Sequence, residues 1–368
     1  MRPPHHLPDG RFRNPWPEAA HDDAIRRRFR EVAWEWFRKP MPPDPGPESL
    51  PTVPSTIAHP RAEAGQVRVT WVGHATHLIQ LPGLNLLTDP MWSARPSPVE
   101  SMGRSRFVPA SPGIEALPPI DAVLVSHDHY DHLDRPTVAR LTKRFGRALR
   151  WYTPLGYREW FASVGVSQVT ELDWWDAHEV APGYRLVAAP ARHWTRRTPW
   201  GTNTRLWCSW AVLADDASAP RVYWGGDSGY APHFREIGTR LGPFSVSILP
   251  IGAYDPRWFM SASHMDPEEA VAAYEDLGRA GAFLPSHWGT FRLTFEDPLE
   301  PPRRLRTAWS ARGLDERLLH VPRHGETVSL AAPAPADRVS QLEATDAPGG
   351  LHPGAPLTTL RPRPEKED

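Results

Sequence analysis

The segment Asp121-Ala-Val-Leu-Val-Ser-His127-Asp-His129-Tyr-Asp131-His132-Leu places three imidazoles and a carboxylate within six residues, just where an apolar strand runs out at Ser126. His127 and His129 are two apart, and on an extended chain such residues face the same side. Asp131 and His132 follow where the chain turns, so they can address a second cation close by. Nitrogen and oxygen donors without a thiolate suit zinc, with manganese or iron as the other fits. Two cations of coordination number four or five need about three donors more. Three candidates stand at the ends of further predicted strands. Arg185–Ala191 leads to His193, Arg221–Gly226 leads to Asp227, and Ala282–Ser286 leads to His287. Asp227 is the natural bridge, since a carboxylate has one oxygen for each of two metals. A lone histidine is more often a satisfied core group, but this pattern repeated at four strand ends reads as metal binding.

These donors need a scaffold of strands. Runs rich in β-branched residues and bounded by turn residues predict strands at Val67–Val72, His77–Leu81, Asn85–Thr88, Ala122–Ser126, Arg185–Ala189, Leu206–Leu213, Arg221–Trp224 and Val246–Ile251. Helices are expected at 135–145, 155–163, 231–240, 266–280 and 300–311. The fourth is marked by Asp266 as N-cap, Pro267 in the first turn and Glu269 closing a capping box. Strands interleaved with helices predict a layered α/β domain. Its expected limits are 65–330. Before it lie an irregular segment, a helix over 22–39 and a Pro-rich linker, together 1–64; after it comes a disordered tail, 331–368, too poor in apolar residues to fold.

The chain has 368 residues, 42 basic against 43 acidic, and a single cysteine, Cys208. Near-zero net charge gives no general field for nucleic acid, and none is expected as partner. One cysteine excludes a disulfide framework and suits a reducing compartment. The N-terminus lacks an apolar h-region and no run approaches a spanning helix, so a soluble, cytoplasmic protein is expected. Peripheral membrane contact and a homodimer stay open. The 22–39 helix gathers Ile25, Phe29, Val32, Ala33 and Trp36 on one face, suited to packing on the domain or to adsorbing on anionic lipid.

HDHYDHLD resembles the H-x-H-x-D-H motif of the metallo-β-lactamase superfamily. The flanking text is closer to its N-acylphosphatidylethanolamine-hydrolysing phospholipase D branch: NPWP (14–17), WVGHATHL (71–78), LTDPMW (87–92), MGRSRF (102–107), GDSGY (226–230), PIGAYDPRWFM (250–260), HMDPEEAV (264–271) and HWGTF (287–291). The resemblance implies a four-layer αββα fold with two Zn2+ at one edge of the two sheets. It assigns His127, His129 and His193 to one metal, Asp131, His132 and His287 to the other, with Asp227 bridging. It makes Asp89 a support behind the metal loop and places Tyr130 and His264 against a phosphodiester. Two positions depart from the vertebrate pattern: Glu100-Ser101 stand where Gln-Tyr is usual, which bears on headgroup and acyl preference, and Asp128 stands where Asn is usual.

The chemistry expected is attack of a metal-bridged hydroxide on phosphorus, because two close cations pull the pKa of a shared water towards neutrality. Asp131 and His264 are the residues expected to carry catalysis, His264 by positioning the phosphodiester or protonating the leaving oxygen; Tyr130 would donate to a phosphoryl oxygen. The substrate expected is an N-acylphosphatidylethanolamine-type phospholipid, held in an apolar groove lined by Trp92, Trp258, Phe259 and Met260. The alternatives are a metal-dependent lactonase or small-molecule phosphodiesterase of the same superfamily, and a metal-stabilised binding module. His74, far from the cluster in sequence, is given a structural role as readily as a catalytic one and kept off the site.

Overall fold

The computed structural model describes residues 2–16, 29–46, 48–55, 57–99, 101–216 and 218–331. A helix, α1 (Phe29–Arg38), precedes two sheets. The first sheet runs, in spatial order, β13 (Thr327–Ala331), β1 (Gln66–Gly73), β2 (Thr76–Leu81), β3 (Leu84–Thr88), β4 (Ala122–Leu124), β5 (Arg150–Pro154) and β6 (Val169–Leu172). The second runs β12 (Ala282–Ser286), β11 (Val246–Pro250), β10 (Val222–Trp224), β9 (Ser209–Ala214), β8 (Tyr184–Ala189) and β7 (Ala177–Ala181). Each sheet is antiparallel on one side and parallel on the other, from β3 to β6 and from β10 to β12. Parallel neighbours need crossovers. Between β3 and β4 the connection is a long loop with a 3-10 turn (Ile114–Ala116); helices supply the others: α2 (Arg135–Phe145), α3 (Arg158–Ser163), α4 (His233–Leu241) and, after the short α5 (Arg257–Met260), α6 (Pro267–Asp276); α7 (Glu300–Ala311) follows β12.

Alternation along the strands sorts side chains into layers. Val69, Ile79, Leu86 and Leu124 of the first sheet meet Leu186, Val212, Val222 and Ile248 of the second. Their strand neighbours Leu78, Leu87, Val123 and Trp151 pack outward on Val138 and Leu141 of α2 and Phe161 of α3. Val187, Ala211, Tyr223 and Phe283 pack outward on Phe234 and Ile237 of α4, Tyr274 of α6 and Trp309 of α7. The result is the expected α–β–β–α stack.

Helices 135–145 and 300–311 form over the expected residues, and Asp266 with Glu269 makes the capping box in both directions. Strand ends differ for identifiable reasons. β4 ends at Leu124: Val125 still bonds Tyr152 O of β5, but the Ser126 N–H is taken by the Asp89 carboxylate. The run from Leu206 joins its sheet only at Ser209, since the Leu206 and Cys208 N–H groups bond Leu155 and Ser126 carbonyls instead. Strands β5, β6, β7 and β13, short and mixed in polarity, carry no pattern that predicted them.

Residues 2–16 hold no helix, as expected, yet they are packed rather than loose: Phe12 joins the core between the sheets and His5 lies stacked on Trp174. Of the 22–39 helix, residues 29–38 are observed. Residues 17–28, Ile25 among them, lie outside the described residues, as do Glu100 and the tail from 332, and so do the side chains of Phe29, Val32, Ala33 and Trp36. On α1 Trp34 and Phe37 are exposed and stacked together. Among the described residues no helix is long and apolar enough to cross a membrane.

Candidate metal centre

The loops after β1, β3, β4, β8, β10 and β12 converge on one patch at the rim of the two sheets. The first anchor is Asp89, fully buried, with positive φ just beyond β3. Its carboxylate accepts the Ser126 N–H at 2.7 Å and meets His132 Nδ1 at 2.6 Å. This fixes the loop after β4 and turns His132 Nε2 inward. The second anchor joins the sheets: the His74 carbonyl, after β1, accepts Trp71 Nε1 at 2.9 Å and the His287 N–H, after β12, at 3.1 Å. His74 and His287 both sit at positive φ, a backbone choice that costs energy for non-glycine residues and is found where surroundings enforce it.

The inward atoms fall into two groups. His127 Nε2 is 2.9 Å, and His193 Nε2 3.2 Å, from His129 Nδ1. In the other, His132 Nε2 is 3.2 Å from His287 Nε2, 3.3 Å from Asp131 Oδ2 and 3.1 Å from Asp227 Oδ2. Ligand bonds of 2.0–2.1 Å in a tetrahedron set neighbouring donors about 3.3 Å apart, so both groups have the spacing of a shared cation. Asp227 spans them. Its Oδ1 is 3.2 Å from His287 Nε2, while its Oδ2 is 3.9 Å from both His127 Nε2 and His193 Nε2.

Electrostatics agree. Burial disfavours charge on every group here, yet His132 overcomes it for Asp131 and Asp227, and both carboxyls sit well below their ordinary range. Conversely, burial opposes the His132 imidazolium, but Asp227, Asp131 and Asp89 outweigh it and raise that ring well above its usual value. His287, against the same opposition, is pushed up to about 9 by Asp227 and Asp131. Burial keeps His127 and His193 neutral, well below the usual range. Two ionised buried carboxylates beside the neutral His127 and His193 rings form a donor set that fits divalent cations, whose charge would take the place of the protons on His132 and His287.

Each of the sequence-derived donors, His127, His129, Asp131, His132, His193, Asp227 and His287, reaches this patch. His264 joins it with Nδ1 3.8 Å from Asp227 Oδ2, delivered by the turn before the Asp266 cap. Burial lowers His264 to about 4 even though Asp227 opposes the change, so at neutral pH the ring is uncharged. His74, kept off the site on sequence grounds, stands within it and makes a hydrogen bond there: its Nε2 lies 2.9 Å from Asp131 Oδ2 and its ring 4.0 Å from that of His287. The Tyr130 hydroxyl donates to Arg197 O at 2.9 Å, so its proton is engaged by the protein rather than free for a phosphoryl oxygen. Asp128, unremarked as a support, is buried and takes Arg205 Nη1 at 2.9 Å and the Arg196 N–H at 3.0 Å, tying the 193–205 loop to the metal loop.

A cavity of about 480 Å³ opens beside Tyr130, bounded by Ser97, Pro98, Asp134, Arg135, Trp160 and Arg197. None of Trp92, Trp258, Phe259 and Met260, expected to line an apolar groove, lines this cavity. Trp92 instead turns inward to bond Pro112 O and pack on the outer face of the first sheet, and the other three belong to α5. Arg197 lies over the rings of Tyr130 and Trp160 at 4.2 and 5.0 Å. The segments bordering the cavity carry Val99, Met102 and Trp200, all exposed, the last at 85%.

Two layered sheets with a histidine–aspartate cluster at their common rim define a metallo-hydrolase fold and site. The sequence matches the beta-lactamase superfamily domain over residues 84–288. It is similar to the N-acyl-phosphatidylethanolamine-hydrolyzing phospholipase D 1 of Caenorhabditis elegans, 37% identical over 77% of this chain and 82% of that one. It is also similar to an uncharacterized protein of Mycobacterium tuberculosis, 38% identical over 94% of this chain and 86% of the other. Among solved structures it resembles Igni18, a metallo hydrolase from Ignicoccus hospitalis, with a TM-score of 0.54 and 24% identity over 72% of this chain and 98% of that chain, a likeness of fold. The chain belongs to the metallo-β-lactamase superfamily of metal-dependent hydrolases, within its N-acylphosphatidylethanolamine-hydrolysing phospholipase D-like branch.

Proposed function

We propose that the protein is a binuclear zinc phosphodiesterase that hydrolyses N-acylphosphatidylethanolamine-type phospholipids in the manner of a phospholipase D. The observation that carries this reading is the Asp227 carboxylate, reaching both donor groups from one residue. His127, His129 and His193 would hold one cation, Asp131, His132 and His287 the other, and Asp227 both. When bound, such a pair supplies Lewis acidity and a nucleophilic water at neutral pH. His74 and Asp89 orient Asp131 and His132. His264, an uncharged ring, serves by offering an N–H to a phosphoryl oxygen more readily than by releasing a proton. Tyr130 lines the substrate cavity as wall rather than donor. Arg135 and Arg197 there suit an anionic headgroup, and exposed Val99, Met102 and Trp200, a few residues along the chain from lining residues, suit acyl chains or a peripheral bilayer contact.

The two arginines also favour a second reading, a phosphate-bearing lactone or small phosphodiester as substrate. Metal analysis paired with hydrolysis of defined N-acylated phosphatidylethanolamines separates the two. Phosphatidic acid released by protein holding two zinc ions, and lost in His287→Ala, is the expected result. Opening of lactones with lipids left intact transfers the site to the second reading; stoichiometric metal with neither reaction refutes both.

A further inference from the structure

The NPWP motif lies far from the donors in sequence, and the metal chemistry leaves it without a task. Its structure gives it one. The Asn14 side chain is 5% exposed. Its Nδ2 donates to the main-chain carbonyl of His193 at 3.0 Å, while its Oδ1 has no partner among the described residues, so that among them this one bond holds the buried amide. The Trp16 ring packs at a tilt against His233, centroids 4.9 Å apart, and His233 Nε2 is 3.2 Å from the hydroxyl of Ser228, the residue after Asp227. That hydroxyl also accepts the Arg192 N–H at 2.9 Å, and the Phe12 N–H bonds Asn203 O, whose side chain in turn accepts the Thr195 N–H. The N-terminal strap therefore touches the 193–205 loop at His193 and again at Asn203 and, through His233, the loop that carries Asp227.

A clasp keeps the strap down. Asp173 offers one oxygen to His5 Nε2 at 2.7 Å and the other to His6 Nε2 at 2.8 Å, and the His5 ring lies flat on Trp174 at 4.3 Å. Both are hydrogen-bond distances, and each imidazole has its own oxygen.

We propose that residues 5–16 are a positioning element of the metal centre: Asn14 sets the main chain of His193, and the His5–Asp173–His6 clasp holds Asn14 there. The inference rests on the metal reading above, in which His193 is a ligand. Asn14 touches neither metal nor substrate and is a positioning residue.

The test is titration of metal-free protein with Co2+ alone, followed by visible absorption and a competing chelator. Asn14→Asp keeps the shape but removes the donor. It should weaken one of two metal equivalents by about 10- to 100-fold, the usual effect of losing a group that orients a ligand, and change the visible bands of that equivalent only. Asp173→Asn, which loosens the clasp without touching any donor, should give the same one-sided loss in smaller measure. Two equivalents bound as in wild type by both variants overturn the inference and leave the proposed function standing. Equal weakening of both equivalents, in step with a lower thermal midpoint of the metal-free protein, overturns it as well, because that is general destabilisation. Wild-type protein that binds no metal removes the proposed function and this inference together.

Discussion

The Asp131 carboxylate is approached by three imidazoles, with His74 Nε2 at 2.9 Å, His132 Nε2 at 3.3 Å and His287 Nε2 at 3.6 Å. With a metal on the last two, His74 is left to orient the carboxylate. His74→Ala is expected to lower metal affinity or kcat by about 10- to 100-fold, as loss of such outer partners does, with His74→Gln intermediate; a chelator competition assay and steady-state kinetics check it. Wild-type values in the alanine variant would refute the role. The seven donors were readable because strand ends deliver residues at fixed spacing. His74 was not, because it meets Asp131 across 57 residues, and its place depends on a left-handed backbone that the letters GHAT do not announce. The engaged Tyr130 hydroxyl was equally hidden, since its acceptor is a main-chain carbonyl.

Helices α2 and α7 could be located from their own residues, because Pro in the first turn and periodic burial are local facts. The four short strands could not, because strands such as β7, whose middle is exposed, are defined by their neighbours rather than by composition. The helix most tied to the site is α6, whose cap follows His264 by two residues. Asp266→Ala removes the acceptor for the Glu269 N–H and should cost about 1 kcal/mol. Urea denaturation should show that loss, and kcat should fall because His264 is less well aimed, while metal content stays at the wild-type level. An unchanged kcat would separate the cap from the position of His264.

At the scale of the molecule, His77, His233 and His324 are buried outside the donor cluster, and burial lowers each to about 3. The unfolded chain takes up protons on these rings below about pH 6.5, whereas the folded rings stay neutral until far lower. Their contribution is whole above pH 6.5 and is lost as pH falls, at about 1.4 kcal/mol per unit for each ring. Unfolding of the metal-free protein between pH 7.5 and 5 should show a midpoint that declines on the acid side; a flat profile would refute this. Added zinc should raise the midpoint in proportion to the logarithm of its free concentration. That stabilisation has a particular geometry. β1 to β6 with β13 bear His127, His129, Asp131 and His132, whereas β7 to β12 bear His193, Asp227 and His287. A filled centre would thus rivet two half-molecules at one end of their shared seam, and a chain severed near residue 176, which leaves β13 on the fragment with β7 to β12, should reassociate more tightly with the ion than without it.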